Sequence, residues 1–124
     1  MPKSEGAGRS VTRAKVSLVF GILAVSNLEA LVVYVVAYDL KSPHDTGDDY
    51  DRVIDAVKSV GTTWCHLEKS VWLIASDATA SDIRDALKRY LNEDDLLFVA
   101  KLSGNWASFN IGSRRADWIK NRTF

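Results

Sequence analysis

The sequence predicts an α+β domain: one antiparallel sheet of four strands with two helices laid on one of its faces. Three observations predict it. Two stretches repeat apolar residues at helical spacing, and four others are strand-length runs rich in β-branched and aromatic residues. These six follow one another as strand, helix, strand, strand, helix, strand. With 124 residues, 47% of them hydrophobic and 26% charged, the chain can bury one core, whereas two domains would each approach the size at which a core becomes marginal.

Residues 1–30 precede the pattern as an N-terminal extension, in which the apolar run 16–25 reads equally as an added strand or a helix. The first strand covers 31–38 and is apolar almost throughout, as a central strand buried on both faces would be. It stops at Asp39, and Pro43 and Gly47 break the chain in the loop beyond. Tyr50, Val53, Ile54, Val57 and Val60 then make a helical stripe, with Asp48, Asp49 and Asp51 in the first turn, where the dipole favours acid, and Gly61 at its close. Residues 62–67 and 69–76 are two strands close enough to pair as a hairpin. Thr79 or Ser81 caps a second helix whose stripe is Ile83, Ala86, Leu87, Tyr90 and Leu91, ending at Asn92. A fourth strand covers 96–102, and Ser103-Gly104-Asn105 turns toward a short final strand at 106–111. This succession is the ferredoxin-like β-α-β-β-α-β arrangement over 31–112, followed by a basic C-terminal tail, 113–124.

The zero net charge hides a segregation. Residues 1–15 and 113–124 each carry +3, so the body between them carries −6, which argues against a broad cationic face for nucleic acid but leaves short arms able to touch phosphates. Those arms would act through Arg114, Arg115, Lys120 and Arg122. Residues 16–38 are as long as a membrane span, yet Ser26, Asn27 and Glu29 sit at the middle, where a carboxylate costs about 2.5 kcal/mol or more. No membrane association is therefore expected. A single cysteine, Cys65, permits neither an intrachain disulfide nor a thiolate metal cluster, and points to the cytoplasm.

Three local motifs resemble the small CRISPR-associated Cas-two family and its SinR-like members: Tyr38-Asp39-Leu40 at the end of the first strand, Leu67-Glu68-Lys69-Ser70-Val71-Trp72 around the hairpin, and Lys101-Leu102-Ser103-Gly104-Asn105-Trp106-Ala107 leaving the fourth strand. The resemblance spans residues 31–112. It implies a homodimer in which the two copies of Asp39 face each other across a cleft and share a divalent cation, with Asp39 and Ser70 as the catalytic candidates. The activity so implied is Mg²⁺-dependent cleavage of RNA or DNA, since a hard cation held by carboxylate oxygen activates water and neutralises a phosphate under attack. The alternative is a non-catalytic dimer that binds nucleic acid or a protein partner. Where the family commonly carries an arginine before the hairpin, this chain has His66, read here as a half-buried strand residue with a hydrogen-bond partner.

The remaining constellations have structural readings. His44 with Asp45, Asp48, Asp49 and Asp51 lacks the spacing of a Ca²⁺ loop and reads as a solvated helix start, and Glu93-Asp94-Asp95 reads as an exposed turn. Trp64, Trp72 and Trp106 are assigned to the core or to a dimer contact, while Trp118 either docks a partner or packs back on the body. No glycine-rich phosphate loop or nucleophile elbow is present, and Cys65 and His66 point to opposite sides of a strand.

Overall fold

The computed structural model describes residues 7–9, 31–41 and 47–124. Among the described residues, eight elements follow in chain order: β1 (Ala7–Arg9), β2 (Val32–Asp39), α1 (Gly47–Val60), β3 (Thr63–Glu68), β4 (Val71–Ser76), α2 (Ala80–Lys88), β5 (Leu96–Lys101) and α3 (Ser113–Lys120). The expected α+β class with one antiparallel sheet is present. The chain order departs from expectation at both ends, where a three-residue strand precedes the pattern and a third helix follows it. All strand pairs are antiparallel, and the sheet runs β1-β3-β4-β2-β5. The expected final strand at 106–111 is irregular chain instead.

Alternation along the strands divides the core in two. Tyr34, Val36 and Tyr38 of β2 point with Trp64, Trp72 and Ile74 toward α1 and α2, which contribute Val53, Val57, Ile83 and Leu87. Val33 of β2, Cys65 of β3, and Leu73 and Ala75 of β4 point the other way and are covered by Trp118 and Ile119 of α3. The helices thus flank the sheet on both faces, and β4, covered twice, is buried at five of its six residues. The expectation of helices on one face holds for α1 and α2 only. Trp64 and Trp72 are core residues, and Trp118 packs back on the body.

The element ends have local causes. Thr79, not Ser81, caps α2: its Oγ1 accepts from Asp82 N at 3.1 Å, and the helix ends at Lys88, earlier than Asn92. At Gly61 a Cβ would lie 2.9 Å from the Ile74 Cβ and 3.1 Å from the Thr63 oxygen, so glycine answers to a close approach of the turn to β4. Asn110 (φ 63°) and Gly112 (φ 88°) take left-handed backbone, turning the irregular segment into α3. Among the described residues no helix is long and apolar enough to cross a membrane, and the second part of the apolar stretch 16–38 is strand β2. The apolar run 16–25 lies outside the described residues, as do His44 and Asp45.

Candidate functional site

The residues singled out by their chemistry gather at two places, the exit of β2 and the helix α3. At the first, Asp39 is the last residue of β2 and pairs in register with Leu96 of β5. Its side chain is 58% exposed, and Oδ2 lies 2.8 Å from Lys41 Nζ. The Asp39 carboxylate raises the Lys41 pKa above its ordinary value, chiefly through that hydrogen bond and then through charge. Tyr38 N donates to the Ser70 carbonyl at 3.1 Å, which sets Asp39 and Ser70 at the same end of the sheet. Ser70 N in turn donates to Glu68 Oε1 at 2.7 Å, closing the β3–β4 turn.

Behind this exit lies an aromatic wall. The Trp72 indole N–H donates to the buried Tyr38 hydroxyl at 3.0 Å. Burial raises the Tyr38 pKa, the Trp72 hydrogen bond working against that shift. The His66 ring stacks on Trp72 with centroids 3.8 Å apart and planes within 5°, and its Nε2 is 3.3 Å from the Lys69 carbonyl oxygen. His66 is thus half-buried and hydrogen-bonded, as its strand setting predicts. The register shift between His66 and Glu68 makes Leu67 a bulge.

Asp95, read from sequence as part of an exposed turn, is half-buried and has a defined structural role. One carboxylate oxygen accepts from Lys41 N at 2.7 Å and the other from Asn92 N at 2.7 Å, tying the exit of β2 to the entry of β5. The available signal was the Asn92-x-x-Asp95 spacing before a strand, a turn pattern in which a short acid bonds neighbouring amides. Among the described residues no three His, Cys, Asp or Glu side chains gather as a metal site within one chain.

The four cations of the C-terminal segment divide into two kinds. Arg115 is half-buried: its Nε donates to the His66 carbonyl at 2.8 Å and a terminal nitrogen to the Ile111 carbonyl at 3.0 Å, fastening α3 to β3. Arg122 donates to the Trp118 carbonyl at 3.1 Å and lies 4.7 Å over the Trp118 ring. Arg114 and Lys120 are exposed. Trp118 reaches from α3 to Thr63 Oγ1 at 3.0 Å. Beside it Cys65 is fully buried, and desolvation pushes its thiol up to about 11 despite the Arg115 charge. No family model matches this chain, and no solved structure does.

Proposed function

We propose that the protein is a Cas-two-like, ferredoxin-like domain that works as a homodimeric nucleic-acid-binding module without metal-dependent cleavage. The observation that carries this reading is the 2.8 Å ion pair between Asp39 and Lys41. The catalytic candidate is already charge-matched by a neighbour whose backbone Asp95 holds, so a cation at Asp39 must compete with an ammonium. For Mg²⁺ the fit within one chain is poor: the ion takes oxygen ligands in an octahedron, and the exit of β2 offers one paired carboxylate. Exposed Arg114 and Lys120 supply phosphate contacts. The ferredoxin-like assignment is supported by the succession β2-α1-β3-β4-α2-β5 and by the place of β2 between β4 and β5. A cytoplasmic setting is supported by the single free thiol.

A second reading, a Mg²⁺-dependent endonuclease using Asp39 and Ser70, is favoured by the exposure of Asp39 at the end of the sheet that also holds Ser70. Incubating wild type, Asp39→Ala and Ser70→Ala with single-stranded RNA and double-stranded DNA, in Mg²⁺ or EDTA, separates the two. The module reading expects all three to bind and none to cut in a metal-dependent way. It further expects Arg114→Ala and Lys120→Ala each to flatten the salt dependence of binding by about one unit of log–log slope. Cutting that needs Mg²⁺ and disappears in Asp39→Ala establishes the enzyme instead.

A further inference from the structure

Residues 102–112 turn their apolar side chains to opposite sides. Trp106 and Ile111 pack on the second core, whereas Phe109 is 87% exposed, the most exposed large apolar side chain among the described residues. The segment is held on both sides of that ring. Leu102 N donates to the Val33 carbonyl at 2.8 Å, and a terminal nitrogen of Arg115 donates to the Ile111 carbonyl at 3.0 Å. Asn110, at φ 63°, turns the backbone between the outward Phe109 and the inward Ile111. The ring thus stands on an anchored base.

Its surroundings along the chain are polar and free of acid. Ser108 and Asn110 on either side are exposed, so the ring does not continue an apolar stripe. Between Asp95 and Asp117 the sequence has no acidic residue and three basic ones, Lys101, Arg114 and Arg115. The body carries −6, and this stretch does not share its repulsion of a polyanion. Arg115 is taken up by the His66 and Ile111 carbonyls, while Arg114 beside it is exposed. The bond from Arg115 to Ile111 also ties the Phe109 segment to the start of α3, where Arg114 stands. An anchored aromatic face with a cation close by is the combination by which proteins hold single strands: the ring stacks on a base and the cation meets a phosphate. A duplex keeps its bases stacked on one another and offers the ring none.

We infer that Phe109 is a stacking platform for one base of a single-stranded nucleic acid, with Arg114 at an adjoining phosphate. This rests on the reading of the protein as a nucleic-acid-binding module, and names the class of strand and the ring that holds it.

Fluorescence anisotropy of the full-length chain with a labelled single-stranded oligouridine and with a duplex of equal length tests the platform. Phe109→Ala should weaken single-strand binding about fivefold to a hundredfold and leave duplex binding and the salt dependence unchanged, because stacking releases no counterions. Phe109→Trp should restore the affinity, and Arg114→Ala should instead flatten the salt dependence. So exposed a ring contributes little to the core, and Phe109→Ala should keep the wild-type urea midpoint. Labelling gives a second readout: with Cys65 buried, Phe109→Cys should react rapidly with iodoacetamide, and slowly once the single strand is saturating. Wild type that binds the single strand while Phe109→Ala binds it equally well overturns the platform and leaves the module standing. An equal loss on the duplex does the same, as does a Phe109→Cys thiol that reacts slowly without nucleic acid or no more slowly with the strand bound. Wild type that binds neither single strand nor duplex overturns both.

Discussion

Cys65 and Gly61 sit a few residues apart and illustrate opposite demands of burial. The Cys65 thiol is sealed between β4 and α3, and loss of water around it disfavours the thiolate. Its folded pKa of about 11 stands above the ordinary value of 9.0, so the folded state holds this proton more tightly than the unfolded one. The resulting stabilisation is complete below pH 9 and is lost as pH rises toward 11. At pH 8 the native thiol should react with iodoacetamide about 100-fold more slowly than a model thiol, and at model-thiol speed in denaturant. Fast labelling of the native protein would show that the cover over this face opens. Gly61 has no room to give: Gly61→Ala should lower unfolding free energy by about 1–3 kcal/mol in urea titration, since the new methyl meets the Ile74 Cβ and a backbone oxygen. A neutral result would mean the turn shifts without loss.

At the scale of elements, α3 is the part that the residue pattern disguised. Its eight residues carry four charged side chains and only two large apolar ones, Trp118 and Ile119, too short a stripe for periodicity to distinguish a docked helix from a basic tail. Arg115 and Arg122 look like free cations in sequence, yet both are bound to carbonyl oxygens. By contrast β2, α1 and α2 were legible, because the apolar run and the two stripes are strong over eight, fourteen and nine residues. Residues 106–111 show the converse failure: Trp106 and Ile111 suggest a strand, but both pack on the second core as irregular chain and leave Phe109 outside. Asp39 was legible as the last residue of its strand. Its ion pair was not, since Lys41 reaches it through a backbone position that Asp95 sets from 54 residues away. Trp118→Ala should destabilise by about 3–5 kcal/mol, because it empties a covered site and abandons the Thr63 bond. A urea midpoint near wild type would mean that α3 docks only weakly. Removing residues 113–124 outright strips the second core, so single substitutions at Arg114 and Lys120 are the cleaner probes of nucleic-acid contact.

For the molecule as a whole, the place of β2 in the sheet bears on how the chain is made. Val33 waits for Ala75, and Tyr34 waits for Lys101, so a strand paired on both sides in the finished sheet leaves the ribosome long before either neighbour exists. Its eight residues stay without a full set of sheet partners through the synthesis of some sixty more, an interval in which so apolar a strand is open to wrong pairing until β5 emerges.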